Sequence, residues 1–547
     1  MTTRRLFLSA FAVLLLGLMF FDKPFAYLGI GPLFVTELVL VLGLLVAVTG
    51  GREELRTGWL RLRRPQLIAL LVFLGYEAIR TAFDVPRYRI LALRDGVVWG
   101  YALFAVVVVT VVGWDTLQRW AGGYRRIVPL FVVWVPIAVW LYAVEPGKLT
   151  VPGRAVSLYL FKPGDLLVHL AGAGAAFILW PGTVRGVRRI GGWLVALLWG
   201  AGFVMAASLT RGGLLACLAG MAFAALAGSR RQVARLVAGT VTVWIVFGIS
   251  GLRIEVPKVS QGALYKEASA RQLVEQLRST ANQAVRLVLG HGSGTTGAFH
   301  WSPPGSAGRQ LPAARQSAPS TLTPTSGPAV QHRPAADQAS WHSPSSPPTP
   351  ARRTVPAGGS PTPRPQGSAG VTPPEHTVDR ARMGTIRWRL HWWRTIIGYT
   401  VHGPYFLTGK GFGINLADSD GFQPRKDHGL RDPHNVFMTF LGRSGVPGLV
   451  LFVVLVGTVL WGLALTWWRG DGTRQQLAVW LFVYLVAMLV NASFDVYIEN
   501  PMGGVWFWSA VGAAMLVTAG GRNGVAEEGA GQEETGAPEH PEGSADR

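Results

Sequence analysis

Twelve apolar runs of bilayer-crossing length, joined mostly by short polar loops, leave this chain few ways to fold. They are centred on Leu6–Phe21, Leu33–Thr49, Gln66–Phe83, Val97–Gly113, Ile127–Val144, Leu166–Trp180, Gly192–Ala207, Gly212–Gly228, Val233–Ser250, Gly445–Leu465, Leu477–Phe494 and Met502–Gly520. Each approaches the roughly 20 residues that a helix needs to cross the hydrocarbon core. In that medium only helices and closed barrels satisfy every backbone polar group. The spacing therefore predicts an all-α polytopic membrane protein with about twelve transmembrane helices and a large extracytoplasmic loop between the ninth and tenth. Composition agrees: of 547 residues, 50% are hydrophobic and 15% charged. The start, Met1-Thr-Thr-Arg-Arg before Leu6–Phe21, reads as a retained first span, because no small-x-small cleavage site follows it.

A formal net charge of +21 would suit nucleic acid, but the basic residues are scattered among loops and form no stripe. No nucleic-acid partner is expected. Their alternation sets a topology instead. Arg52, Arg56, Arg61, Arg63 and Arg64 share one side with Arg119, Arg125, Arg126, Arg185, Arg188, Arg189, Arg230 and Arg231, and with Arg4, Arg5, Arg469 and Arg474. The alternate loops are poorer in Lys and Arg. Both termini are therefore expected in the cytoplasm, with the chain in the cytoplasmic membrane.

The expected organisation is helices one to nine over 1–250, the extracytoplasmic loop over 251–433, the last three helices over 434–520 and a disordered acidic tail over 521–547. Within the loop, a helix-like polar stretch surrounds Arg271–Leu289. His300–Pro374 is rich in Pro, Ser, Gly, Thr and Ala, a composition that cannot bury a core. Residues 380–401 are Trp- and Arg-rich with helical spacing and predict an interfacial helix. The single cysteine, Cys217, lies in an apolar run, so neither an intrachain disulfide nor a Cys-based metal site is available.

Three basic or imidazole groups fall at the outer surface. Arg211 stands in the tight turn Ser208-Leu-Thr-Arg-Gly-Gly213, where an arginine can equally snorkel to lipid phosphates. Arg387-Trp-Arg-Leu-His-Trp-Trp-Arg394 places Arg387 and His391 on one helix face, and Arg389 and Trp393 on another. Guanidinium groups suit bidentate binding of phosphate oxygens. Asp432-Pro-His-Asn435 sets an imidazole just before a span and after the glycine-rich turn Gly409-Lys-Gly-Phe-Gly413, which can bring backbone close to a ligand. Among polar groups in or near the spans, Glu77 and Arg80 are spaced to pair on one helix face. His169 reads as a packed, hydrogen-bonded histidine. Asp495 and Glu499, at the outer end of their span, could line an acceptor site.

In these segments the chain resembles the O-antigen ligase family of polytopic glycan ligases, which includes Wzy-type polymerases and protein O-oligosaccharyltransferases. The matching residues are Thr210-Arg-Gly212, Arg389-Leu-x-x-Trp-Arg394 with Pro404 and the Gly-rich turn downstream, and His434-Asn-x-Phe-x-x-x-Leu-x-x-x-Gly445-x-x-Gly448, in the family's order. The family often has an acidic residue where Arg443 stands here, and His300–Pro374 has no counterpart in its pattern. The resemblance implies transfer of a glycan from an undecaprenyl-diphosphate carrier to a hydroxyl of a glycan, lipid or protein acceptor, with no cofactor, metal or nucleotide sugar. It implies His434 as general base, Arg211 and Arg389, with Arg387 in reserve, on the pyrophosphate, and Asn435 orienting His434 or a sugar hydroxyl.

A polytopic transporter or flippase of lipid-linked glycan is the rival from another class. Transporters gather polar groups near the midplane in repeated, broken helices, whereas these candidates gather at one face and no repeat is evident. A scaffold binding wall polymers through its loop would leave the His434 motif unexplained. The topology is open to test: a cysteine at Ser345 should react with an impermeant reagent from outside and one at Arg230 should not. The reverse pattern would put His434 on the wrong side of the membrane.

Overall fold

The computed structural model describes residues 2–30, 33–50, 59, 62–144, 149–151, 156–180, 189–257, 265–268, 271–278, 281, 385–424 and 428–519. The insert His300–Pro374 and the tail 521–547 lie outside the described residues. The chain folds as a helical membrane bundle with two minor hairpins. Its helices are α1 (Thr2–Ala26), α2 (Val35–Thr49), α3 (Arg64–Tyr88), α4 (Ile90–Gly100), α5 (Leu103–Val107), α6 (Trp114–Val144), α7 (Pro163–Leu179), α8 (Arg189–Leu209), α9 (Arg211–Ala227) and α10 (Arg230–Ser250). Later in the chain come α11 (Thr385–Val401), the short α12 (Leu416–Ser419), α13 (Val436–Arg469), α14 (Gly472–Ala492) and α15 (Pro501–Ala519). The hairpins pair Gly29–Ile30 with Leu33–Phe34 and Ile254–Pro257 with Tyr265–Ala268. Of the polar stretch predicted around Arg271–Leu289, residues 271–278 are helical, and most of the rest lies outside the described residues.

A helix lies in each of the twelve apolar runs. Among the described residues, seven helices are long and apolar enough to cross a membrane, and an eighth if α4, α5 and the π turn that follows, bent by 48°, form one span. The helices α2, α7 and α9 are apolar but shorter. α7 and α15 are buried around nearly their whole circumference and form the centre of the bundle.

Charge separates the two ends of the bundle. At one end Arg4 donates to Val111 O at 3.0 Å and Arg63 to Thr518 O at 3.1 Å, while Arg125 and Arg474 lie over the rings of Trp180 and Trp114. The other end holds the N-termini of α7, α9 and α13 and the turn between α14 and α15.

The helix α13 breaks at Gly445, where φ is 74° and ψ −169°. A break in an apolar bundle frees carbonyls that need new donors. Lys410 N–H reaches Gly442 O at 2.7 Å, Gly411 N–H reaches Arg443 O at 3.0 Å, and the Tyr76 hydroxyl reaches Ser444 O at 2.7 Å. The Gly-rich turn thus serves the chain's own backbone. Its other amides meet carboxylates: Phe412 N–H donates to Asp84 at 2.7 Å and Gly413 N–H to Asp95 at 2.9 Å. A side chain at Gly411 would lie 2.5 Å from Asp84 Oδ2. The turn brings backbone close to a ligand as its sequence suggests, but that ligand belongs to the protein.

Two further expectations are corrected. Glu77 does not pair with Arg80: Ser444 Oγ donates to Glu77 at 2.7 Å, whereas Arg80 pairs with Asp84 at 3.3 Å. Gly448 permits this, since a Cβ there would lie 2.8 Å from Glu77 Oε1. In the Trp-rich helix α11, Trp388 and Trp392 are fully buried against Phe422, Leu416 and Leu441. They are core residues rather than lipid anchors. His169 is packed as expected, hydrogen-bonded to the Tyr484 hydroxyl and edge-on to Trp506.

Arg443 is 1% exposed and bonds to Asp95 and Asp432, each at 2.8 Å. Breaking a buried pair strands its partners, at a cost of ~3–5 kcal/mol. Arg443→Met should fall near the lower end, because Arg431 still faces Asp95 at 2.8 Å, and Arg443→Lys should recover only part for lack of a planar fork. Thermal unfolding of the detergent-solubilised protein measures this, and an unchanged midpoint would show that the network is dispensable.

Candidate functional site

His434 stands at the head of α13 in a strained backbone conformation. Its φ is +55°, a region that residues with a side chain rarely adopt and that costs of order 1–3 kcal/mol. The next residue makes that conformation worthwhile. Asn435 returns to extended backbone and caps α13, its Oδ1 accepting from Phe437 N–H at 2.9 Å and Met438 N–H at 3.1 Å. Its Nδ2 donates to Ser493 O at 3.0 Å, and the residue is 7% exposed. Asn435 is therefore committed to the helix cap and a neighbouring turn, and fixes His434 by fixing the start of the helix.

The imidazole faces that same turn. His434 Nδ1 lies 3.4 Å from Asp495 Oδ1, with side chains 23% and 35% exposed. Both remain reachable from outside the protein. Between α14 and α15, the turn Ser493–Val496 is gripped carbonyl by carbonyl. Asn435 holds Ser493 O, Arg389 Nη1 donates to Phe494 O at 2.5 Å, and Lys162 Nζ donates to Val496 O at 2.9 Å. Asp495 Oδ1 accepts from Val496 N–H at 2.8 Å. Trp393 ties α11 to the segment leading into His434 through Pro433 O at 2.9 Å.

Arg211 reaches this region by a different route. Its Nε donates to Gln276 Oε1 at 2.7 Å, and Gln276 in turn reaches Ser208 O at 3.5 Å. Thr210 caps α9, and the glycines after Arg211 let the turn pack tightly. A Cβ on Gly212 would lie 2.8 Å from Phe494 Cβ, and one on Gly213 would lie 2.7 Å from Gly164 Cα. The Thr210-Arg-Gly212 turn thus abuts the Asp495 turn, while the Arg211 side chain stays exposed. The structure brings His434, Asn435, Arg389 and the Arg211 turn together. Arg387 is exposed on α11, and among the described residues no hydrogen bond links it to the Asp495 turn.

Sequence reasoning missed the floor of the site. Lys162-Pro-Gly-Asp165 opens α7, and Lys162 N–H donates to Asp22 Oδ2 at 2.6 Å. Asp22 sits at a kink in α1 with φ +49°. Asp165 accepts from Asn491 Nδ2 at 3.2 Å, and Asp22, Asp165 and Asn491 are all buried. The available signal was a charged residue flanking Pro-Gly at the mouth of an apolar run, the same kind of position that drew notice to His434. Glu499 accepts from Thr439 Oγ1 at 3.0 Å beside this cluster.

The electrostatics favour a neutral imidazole next to an ionised carboxylate. Burial lowers the His434 pKa from its ordinary value. The hydrogen bond to Asp495 opposes that fall and the Arg389 charge adds to it. Burial alone would raise the Asp495 carboxyl, but the Lys162 charge, the His434 contact and the Val496 N–H hold it well below the usual carboxylate range. Burial would also discharge Lys162, yet the ionised Asp495 carboxylate, the largest opposing charge, keeps it cationic. Burial and the nearby Asp432 charge push Glu499 up to about 8, so it carries its proton at neutral pH. With Nδ1–H turned toward Asp495, His434 Nε2 offers a free lone pair next to a guanidinium. Such an arrangement can take a proton from a hydroxyl while a cation stabilises developing negative charge.

No family model matches the chain, and no curated protein matches it in sequence.

Proposed function

We propose that this protein is a membrane glycan ligase. It transfers an undecaprenyl-diphosphate-linked oligo- or polysaccharide to an acceptor hydroxyl at the outer face of the cytoplasmic membrane. In this reading the chain crosses the membrane about twelve times, with both termini cytoplasmic and the 251–433 loop outside. The observation that carries the reading is the geometry: His434, held at φ +55°, faces Asp495 at 3.4 Å, with the Arg389 guanidinium fixed on the adjoining Phe494 carbonyl.

The chemistry balances without a further reactant. The acceptor oxygen forms a bond to the anomeric carbon as the bond from that carbon to the phosphate oxygen breaks. The hydroxyl proton passes to His434 Nε2, and undecaprenyl diphosphate leaves as an anion. Arg211, exposed and without a carboxylate partner among the described residues, and Arg389 meet the diphosphate charge, a role worth several kcal/mol in the transition state. Arg387 stands outside this set, on the exposed face of α11. Ligation to lipid, polymerisation and transfer to protein share these steps and differ only in the acceptor. The transporter reading draws less support, because among the described residues the clusters of cations with carboxylates gather at one end of the bundle.

His434→Ala should reduce transfer by about a hundred- to ten-thousand-fold while leaving binding of a lipid-linked donor nearly intact. Arg211→Ala and Arg389→Ala should weaken both, since they meet charge already present in the ground state. The neutral imidazole is the active form, so the rate should fall as pH drops through the His434 pKa. That acid limb should lie below the ordinary imidazole value of about 6.5, because burial lowers the group. Membranes lacking the protein should accumulate long chains on the carrier if it is a ligase, and single repeat units if it is a polymerase. Near-normal transfer by His434→Ala would end the proposal.

A further inference from the structure

We propose that Lys162 is a positioning residue for His434: by gripping the Ser493–Val496 turn it sets Asp495 so that the imidazole keeps its proton on Nδ1 and presents a bare Nε2. The value of a bare Nε2 rests on the transfer reading above, but the positioning itself does not.

The turn has three side-chain grips from other elements, and they are not equivalent. Asn435 is adjacent to His434 in the chain and moves with it. Arg389 lies on α11, which is tied to the His434 segment through the Trp393 bond to Pro433 O at 2.9 Å. These two grips hold the turn to α13 and α11, the elements that carry and flank His434. Lys162 comes from the opposite wall. Its backbone N–H is bound by Asp22 of α1 at 2.6 Å, and its ammonium holds Val496 O at 2.9 Å. It therefore links the turn to α1 and α7, both outside the His434 segment.

Its point of attachment matters as well. Arg389 grips the carbonyl before Asp495 and Lys162 grips the carbonyl after it, so the residue is bracketed. The Asp495 oxygen that faces His434 also accepts the Val496 N–H at 2.8 Å. Rotation of the Val496 peptide would carry that oxygen away from the ring. Asn500 Nδ2 also donates to Val496 O, at 2.5 Å, but it belongs to the same α14–α15 connection and cannot anchor it. The groups around this pair are Asp22, Asp165 and Glu499 facing Lys162, and Arg389 facing His434. Which ring nitrogen carries the proton is set by the hydrogen bonds the ring makes: a nitrogen facing a carboxylate acceptor keeps its proton, and the other is left bare. A displaced Asp495 would leave the imidazole to choose by solvent alone.

The test needs neither donor nor acceptor, so its outcome is separate from that of the transfer assay. The full-length protein in lipid nanodiscs is labelled with ring-¹⁵N histidine, and the His434 signals are identified by their loss in His434→Gln. At a pH where the ring is neutral, the wild type should show the Nδ1–H tautomer in large excess. Lys162→Gln should bring the two tautomers to comparable populations, and Lys162→Arg should restore the excess. A folded Lys162→Gln protein that keeps a pure Nδ1–H signal overturns the proposal, as does a wild type dominated by Nε2–H. A merely structural lysine would lower the unfolding midpoint without moving the ratio. If Lys162→Gln does not fold, Asp495→Ala carries the test: it too must lose the tautomer preference, and retention of it refutes the mechanism.

Discussion

A helix that breaks inside an apolar bundle must find donors for the carbonyls it frees, and the break at Gly445 organises much of what surrounds it. Water is not available to meet those carbonyls, and each one left bare would cost several kcal/mol. The chain meets the need with Tyr76 of α3 and with the amides of Lys410 and Gly411. That draws the Gly-rich turn and the middle of α3 onto one short segment, Val436–Ser444. Asn435 fixes the segment at its start and Arg443 near its end. His434 therefore projects from a short, doubly anchored rod, which is how a side chain on a loop acquires the precision of one on a rigid element.

Arg443 shows how a charge in the interior can be absorbed. The position is buried, so either sign of charge there needs partners. Asp95 and Asp432 supply them, and Arg431 shares Asp95. The carboxylates that would repel an acidic residue are what make arginine tolerable. Because Asp432 lies two residues before His434, the same network also sets the entry to the site. Its charge is felt at Glu499 on the other side.

The helices were legible in the sequence because hydrophobic length is a local property. All twelve apolar runs hold helices, though length and apolarity alone qualify only some as spans. His434, Asn435 and the Arg211 turn were legible for the same reason, as each is marked by neighbours within a few residues. Pairing was not. Glu77 and Arg80 have good helical spacing, but Ser444, distant in sequence, offers Glu77 a partner within the buried layer, while Arg80 stays nearer water with Asp84. Lys162, Asp22, Asp165 and Asn491 carry no shared motif at all. Only the packing of α1, α7 and α14 brings them together. Trp388 and Trp392 misled because tryptophan suits both a membrane interface and a core, and composition cannot separate the two.

The two ends of the bundle use charge in opposite ways, and that contrast locates function better than any single residue. At one end arginines meet carbonyl oxygens and aromatic faces, as with Arg63 on Thr518 O and Arg125 on Trp180. Those contacts meet backbone carbonyls and aromatic faces, which is all that a structural role requires. At the other end cations meet carboxylates inside the protein, and most of these groups are at least partly buried. Burying opposite charges seldom adds stability over an apolar packing of equal size. Buried ionisable groups gathered in one place are for that reason a mark of function. Here they surround a histidine and an aspartate that both keep part of their surface exposed. A bundle needing only to be stable would have no use for Asp22, Lys162, Asp165, Asp495 and Glu499 in one place. The transfer proposed above would use them to hold one imidazole oriented beside a guanidinium.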